Sequence, residues 1–370
     1  MHPEFQQLIS QATRLTQSGD LAAATAAIQT ALRGGVAAGH PSRQDDPDVI
    51  DVDAWLVPES SDASGMVSAT NDGVAAPIRR PSSSHDAFIA GFFRNPAGER
   101  SYKLYVPPNA GERPLPLVVM LHGCTQDADD FAAGTAMNEA AQTQGFYVLY
   151  PNQSREANPQ KCWSWFKHNH QQRGRGEPSI LAGMTREVIE MHSIDTHRVY
   201  AAGLSAGGAM AAILAKAYPD LYVAAGVHSG LAPGAASDLP SALSAMKGAG
   251  AQIPMRPGGG VPMIVFHGDR DATVHPGNAQ DVIAASAGRA AHVESLRVPG
   301  KGNKRHSTRH LYRNLEGDII AERWEIHGAG HAWSGGTDRG SYTDQAGPDA
   351  TAEMLRFFFE RGLGNTGGEQ

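Results

Sequence analysis

Cysteine is scarce in this chain: Cys124 and Cys162 are the only two in 370 residues. Neither stands in a Cys-x-x-Cys pair, which removes the commonest cysteine-based zinc sites. Taken alone, the two can form one disulfide or stay as buried thiols. No apolar run approaches the roughly 18 residues that a membrane-spanning helix needs, so no span is expected. Positive charge is not in excess either. Lys and Arg number 31 against 38 Asp and Glu, a net charge of −7, and the basic footprint of a nucleic-acid binder is missing. Sixteen histidines are present, but no His-Glu-x-x-His occurs and His168-Asn169-His170 is a lone spacing in a polar loop. No metal and no cofactor are expected. The opening stretch MHPEFQQLIS has no basic start followed by an apolar core, so no signal peptide is read there and the cytoplasm is favoured by sequence.

What is present divides the chain into four parts. Over 1–34, Phe5, Leu8, Ile9, Ala12 and Leu15 recur at helical spacing, and Leu21, Ala24, Ala27, Ile28, Ala31 and Leu32 do so again after Asp20, a capping residue. This predicts a helical hairpin that Gly34-Gly35 ends. No second copy follows, so a helical solenoid is excluded. A hairpin of this size is marginal alone, and packing on the main domain or self-association through it is expected. Residues 35–84 are rich in Gly, Pro, Ser, Ala and Asp and read as a flexible linker. Residues 85–363 form the main domain, and 364–370 a disordered tail.

In the main domain the hydrophobic period switches repeatedly. DAFIAGFF and SYKLYVPP predict an antiparallel strand pair. PLPLVVMLHG, FYVLYP, HRVYAAG, LYVAAGVHSG and VPMIVFHG are apolar runs that read as buried strands. One helix is predicted over DFAAGTAMNEAAQTQ, with others over EPSILAGMTREVIEMH, AGGAMAAILAKAYP, PGNAQDVIAASAG and PDATAEMLRFFFERG. RHLYRN and IAERWEIHG predict a further strand pair. Strands alternating with helices give an α/β class: a mainly parallel sheet covered by helices on both faces, preceded by the hairpin.

The stretch Gly203-Leu204-Ser205-Ala206-Gly207 lies where a buried strand meets an alanine-rich helix. A serine nucleophile exposed on a sharp strand-to-helix turn needs such small neighbours. The plain alternative is a capping serine in a glycine-rich turn. In the α/β-hydrolase fold an acid and then a histidine follow the serine, each on a loop after a strand. VPMIVFHGDRDATV offers Asp269 and Asp271. Asp271, further round the turn, is the candidate acid, and Asp269 the loop cap. WEIHGAGHAWSGG offers His327 at the strand end and His331 in a glycine-flanked loop; His331 is the candidate base. The backbone N–H groups of Ala206 and of Cys124, in MLHGCTQ, are the candidate oxyanion donors.

LHGCTQ, YPNQS, CWSWF, GLSAGGAM, HGDRDATV and GAGHAWSGG occur in this order. Together, across roughly residues 86–360, they resemble the esterase family of poly(3-hydroxybutyrate) depolymerases, with feruloyl and acetylxylan esterases as relatives. The resemblance implies an α/β-hydrolase fold and a Ser205–Asp271–His331 triad. It implies hydroxyalkanoate esters as first substrates and feruloyl, acetyl or short-chain esters as the alternative. It also makes extracellular action an alternative to the cytoplasm. No added polymer-adsorbing module is read, so a soluble ester or oligomer is expected as readily as a solid polymer. The competing reading from another class is a non-catalytic relative that binds partners through its hairpin.

Trp163 and Trp165 of CWSWF, Trp333 beyond His331, and Gln126 are candidates for lining the substrate cleft. Trp163 and Trp165 can equally fill the core, while Trp333, two residues after His331, has the stronger claim to the cleft. Cys124 and Cys162 fall in loops expected to converge near the site, where a disulfide would fix the oxyanion loop. The basic run with Lys301, Lys304, Arg305, Arg309 and Arg313 reads as a solvated face, with attraction of an acidic substrate as the alternative.

Overall fold

The computed structural model describes residues 87–250, 260–287 and 290–361. The hairpin expected over 1–34, self-association through it, the linker over 35–84 and the tail over 364–370 lie outside the described residues.

The chain builds one ten-stranded sheet. Its strands are β1 (Ala87–Asn95), β2 (Gly98–Val106), β3 (Leu115–Leu121), β4 (Tyr147–Pro151), β5 (Ile194–Leu204), β6 (Ala224–His228), β7 (Met263–Gly268), β8 (His292–Val298), β9 (Ser307–Arg313) and β10 (Ile319–Ile326). Their spatial order is β1-β2-β4-β3-β5-β6-β7-β10-β9-β8. From β4 to β10 every neighbour is parallel. The two outer strands on each side are antiparallel. A short parallel pair, β11 (Trp333–Ser334) and β12 (Thr343–Asp344), stands apart from this sheet.

Burial explains the apolar runs. Every residue of β3, β4, β6 and β7 is buried, as expected for parallel strands covered on both faces. Alternation within β3 then divides the core. Leu117, Val119 and Leu121 pack with α3 (Gly176–Met191), α4 (Ala206–Ala217) and α5 (Leu239–Met246). Val118 and Met120 pack on the other face with α1 (Ala128–Thr135), α2 (Met137–Gln144) and α7 (Ala350–Phe359). The helix α6 (Asn278–Ala287) covers β6 and β7 through Ala279, Val282 and Ile283. The edge strand β1 instead alternates between exposed and half-buried residues.

Three local features depart from expectation. The helix read over DFAAGTAMNEAAQTQ is two, because Ala136 takes a left-handed backbone (φ 54°) that ends α1 and starts α2. Helix α5 was not expected; Asp238 caps it with a reciprocal bond to Ser241, and Pro240 stands in its first turn. Strand β8 was also unexpected, since its residues are largely exposed and its alternation carries no apolar face. Among the described residues, no helix is long and apolar enough to cross a membrane.

Candidate active site

The parallel order brings the carboxyl ends of β3, β5, β6, β7 and β10 to one rim, and each expected catalytic residue follows one of these strands. Ligands gather at such strand ends because the loops there are free to carry side chains while the sheet fixes their roots.

Ser205 joins β5 to α4 with φ 56° and ψ −119°. A helix cap ordinarily sits in the extended region and spends its side-chain oxygen on the first turn. Ser205 does neither: no capping bond is made by its side chain. Its amide donates to the His228 carbonyl (2.8 Å) and its carbonyl accepts from Ala209 (2.9 Å), so the backbone is held on both sides. The glycines permit the turn. A Cβ at Gly203 would stand 2.5 Å from the Gly207 backbone, and one at Gly207 would overlap the carbonyl oxygens of Leu121 and His122. Non-glycine residues in such a conformation cost of order 1–3 kcal/mol and cluster at functional sites.

Asp271 lies past the end of β7, with its side chain fully buried. Oδ1 accepts from the amides of Thr273 and Val274, each at 2.9 Å. Oδ2 accepts from His331 Nδ1 at 2.7 Å and lies 3.3 Å from His267 Nε2. Burial alone would raise the Asp271 pKa, but these hydrogen bonds from His267, His331 and Val274 hold it well below the usual carboxylate range. The carboxylate can only accept, so His331 carries its proton on Nδ1 and leaves Nε2 free to take another. Asp269 is engaged separately. Its Oδ1 accepts from the Gly328 amide (2.7 Å) and its Oδ2 pairs with His327 Nδ1 (3.1 Å). The two Asp–His choices left by the sequence are thus two distinct pairs.

The loop after β3 is fixed from several directions. His122 Nδ1 donates to the Gly123 carbonyl (2.7 Å) and its Nε2 accepts from the Gln153 amide (3.1 Å). Burial pushes its pKa down to about 4, against the opposing pull of the Gly123 carbonyl. The Gly123 amide donates to Gln126 Oε1 (2.9 Å), that of Thr125 to the Gln160 carbonyl (2.7 Å), and that of Gln126 to the Gly123 carbonyl (3.4 Å). Of the four amides from 123 to 126, two are therefore spent within the turn and one on Gln160, and the fourth is that of Cys124. A disulfide joins Cys124 to Cys162, 38 residues on. The Cys162 carbonyl also accepts from Gln153 Nε2 (2.9 Å), and the same nitrogen donates to Glu177 Oε1 (2.5 Å). Glu177 is buried; Arg100 Nη2 reaches its Oε1 (3.3 Å) and the Ser164 amide its Oε2 (2.7 Å). A hydrogen-bonded, buried ion pair thereby anchors the loop that carries Cys162.

The residues expected to line a cleft are placed otherwise. Trp163 and Trp333 are buried, and Trp165 nearly so. Trp163 packs beside His122, while Trp333 donates Nε1–H to Thr351 Oγ1 (3.0 Å), stacks on His228 and meets Phe131 edge-on. The three indoles fill the core behind the site and turn no ring face to solvent. Gln126 is buried too and acts as a brace, with Nε2 donating to Asp130 Oδ2 (2.8 Å) and to the Ser341 carbonyl (3.1 Å). The three arginines of the basic run meet acids: Arg305 bonds Asp344, Arg309 bonds Glu322, and Arg313 lies near Glu294, while Lys304 Nζ donates to the Gln345 carbonyl (2.6 Å).

Three residues near the site escaped sequence reasoning. His228 ends β6, and its Nε2 accepts from the Ser334 amide (3.0 Å); burial, reinforced by His267 and His331, pushes its pKa down to about 3. His267, in HGDRD, faces Asp271. Tyr342, half exposed with φ 53°, hydrogen-bonds Thr125 Oγ1 (3.1 Å) while its carbonyl accepts from the Trp333 amide (2.7 Å). It bridges the loop of Cys124 and the loop of His331. A histidine closing a buried strand, as in GVHSG and VFHGD, was the available signal for the first two; Tyr342 had none.

Comparison with known proteins agrees with this geometry. A family profile described as "Esterase PHB depolymerase" matches residues 100–305. Poly(3-hydroxyalkanoate) depolymerase C of Paucimonas lemoignei is 31% identical over 290 residues, spanning 74% of this chain and 68% of that protein. Feruloyl esterase B of Thermothelomyces thermophilus is 34% identical over 155 residues, 42% of this chain and 52% of that one. A probable acetylxylan esterase A of Neosartorya fischeri is 29% identical over 233 residues, 57% and 61% of the two chains. The chain thus spans less than two thirds of these last two relatives. Among solved structures, an acetyl xylan esterase from Aspergillus awamori superposes with a TM-score of 0.52 at 22% identity, over 64% of this chain and 90% of that one, a likeness of fold. On the profile match and the depolymerase alignment together, the chain belongs to the PHB depolymerase family of esterases, serine hydrolases of the α/β-hydrolase fold.

Proposed function

We propose that this chain hydrolyses carboxylic esters through an acyl-enzyme on Ser205, with His331 as base and then acid, and Asp271 as its orienting carboxylate. The observation that carries the reading is the 2.7 Å bond from His331 Nδ1 to Asp271 Oδ2, at the same rim as a serine held at φ 56° whose hydroxyl makes no capping bond. A serine hydroxyl is a weak nucleophile until a base takes its proton. His331 Nε2 accepts that proton as Ser205 Oγ attacks the ester carbonyl. The tetrahedral oxyanion is stabilised by the amides of Ala206, at the N-terminus of α4, and of Cys124. Collapse expels the alcohol, which takes the proton from His331. Water, activated by the same imidazole, then releases the acid and regenerates Ser205.

Hydroxyalkanoate polyesters or their oligomers are the preferred substrates. The depolymerase alignment supports them, since it covers more of this chain, 74%, than the 57% and 42% of the acetylxylan and feruloyl alignments above. Feruloyl, acetylxylan or short-chain esters are the second reading, favoured by the 34% identity to a feruloyl esterase over 155 residues. The disulfide supports action in an oxidising compartment rather than the cytoplasm.

One experiment tests the reading. The protein is offered 3-hydroxybutyrate oligomers, methyl ferulate, acetylated xylan and p-nitrophenyl butyrate, and is labelled with a fluorophosphonate. Labelling at Ser205 with fastest turnover of the oligomers is expected. A protein that neither labels nor hydrolyses any of the four is not this enzyme.

A further inference from the structure

We propose that His267 is a positioning residue for the reaction, sharing the Asp271 Oδ2 atom with His331 and thereby setting how strongly that oxygen draws on the catalytic imidazole. The inference rests on the assignment of Asp271 and His331 made above.

His267 is the penultimate residue of β7 and its side chain is buried. Its Nε2 lies 2.9 Å from the Val274 carbonyl and 3.3 Å from Asp271 Oδ2. A carbonyl and a carboxylate can only accept, so Nε2 carries the proton: it donates to the Val274 carbonyl, and the same nitrogen stands 3.3 Å from Asp271 Oδ2. Nδ1 is buried and, among the described residues, has no hydrogen-bond partner. The ring thus makes its polar contacts through one nitrogen, and that nitrogen faces the acid. The step from His267 to Asp271 is closed by a turn in which the Asp271 amide donates to the Gly268 carbonyl (3.2 Å). That turn is tied to the histidine loop, because the amides of Asp269 and Arg270 donate to the carbonyls of Ile326 (3.1 Å) and Ala329 (3.0 Å).

Asp271 therefore has no idle oxygen. Oδ1 is filled by two amides, and Oδ2 accepts from His331 with the N–H-bearing nitrogen of His267 beside it at 3.3 Å. Donors to a carboxylate stabilise its charge, and a charge answered by two donors pulls less on each. His267 keeps the acid ionised and aimed, and tempers its hold on His331. Other ionisable groups nearby are Glu325, the register partner of His267 on β10, which faces His310 and Arg323; His228, buried at the end of β6; and the Asp269–His327 pair, which is bonded to itself.

The test is the pH profile of kcat/KM for p-nitrophenyl butyrate, measured on the full chain and on His267→Phe and His267→Gln. Phe fills the volume without donating; the Gln amide can donate from nearly the same place. His267→Phe is expected to lower kcat about tenfold and to move the acid limb upward by about half a pH unit or more, because the undivided Asp271 charge favours protonated His331. His267→Gln should return both towards wild type. An acid limb that does not move in His267→Phe, or a Gln variant no better than Phe, overturns the proposal. Should the variants fail to fold, nitrogen-15 histidine spectra of the wild-type protein decide. They must show His267 protonated on Nε2, and a proton on Nδ1 instead refutes the arrangement. Ser205→Ala separates this from the function itself. If that variant is active, the reading beneath has failed; if it is inactive and the limb is unmoved, only the role of His267 has.

Discussion

Across sixty residues of chain, His331 Nδ1 donates to Asp271 Oδ2 at 2.7 Å, and the other carboxylate oxygen is pinned by two backbone amides. In the proposed triad the carboxylate's role is tautomeric as much as electrostatic. Asp271→Asn puts an amide where an obligate acceptor stood, so the imidazole can turn its proton towards Ser205. kcat should fall about ten-thousandfold, the size of effect such a change has in a serine triad. A loss smaller than about tenfold, in p-nitrophenyl butyrate assays on folded protein, would remove Asp271 from the mechanism.

The backbone at Ser205 stores strain that can be measured separately from chemistry. Ser205→Ala and Ser205→Gly both lack the proposed nucleophile and should lose activity by several orders of magnitude. They differ in that glycine adopts φ 56° freely and alanine does not. The glycine variant should gain about 1 kcal/mol or more over the alanine variant from relieved strain, less what its more flexible unfolded chain takes back. Equal denaturant midpoints for the two would mean that the turn is not strained.

Thiol titration of the denatured, unreduced protein should find no free cysteine. Reduction opens a loop closed across 38 residues, and chain entropy then costs about 4 kcal/mol of stability. Because Cys124 supplies the proposed oxyanion amide, reduction should also lower kcat more than it raises KM. Two free thiols, or reduction without effect on either stability or kcat, would contradict this account.

Acid should destabilise the fold before it protonates the carboxylates. His122 and His228 have folded pKa values of about 4 and about 3, against 6.5 when exposed. Between about pH 6.5 and pH 4 the unfolded chain binds protons at these sites that the folded chain does not. Stability therefore falls as pH drops through that window, by about 1.4 kcal/mol per site per pH unit. Asp271, with its depressed pKa, loses its contribution only lower still. Urea unfolding at pH 7.5, 6.0 and 5.0 should show a steadily falling midpoint, and a flat midpoint across that range would refute the assignment.

Much of this was legible in the chain. LVVML and MIVF read as doubly covered strands because burial on two faces leaves no place for a polar residue. Gly203 and Gly207 marked the turn because only hydrogen fits against the Leu121 and His122 backbone. The choice of Asp271 over Asp269 followed from loop position, and the structure gives each aspartate its own histidine. Other features left no trace. The break at Ala136 occurs at a residue with good helix propensity. Strand β8 is an exposed ladder partner of β9 whose own residues show no core-facing pattern. Trp163 read equally well as cleft wall or core, and Trp333, read towards the cleft, is buried.

By itself, then, the order of apolar runs and glycine turns determined the sheet, the elbow and the succession of serine, acid and histidine, because these depend on backbone sterics and on which residues tolerate water. Only the tertiary structure decided which imidazoles meet Asp271, which indoles are covered, and that Cys124 reaches Cys162. Those outcomes depend on what faces each side chain from a distant strand, and no local pattern of residues encodes that.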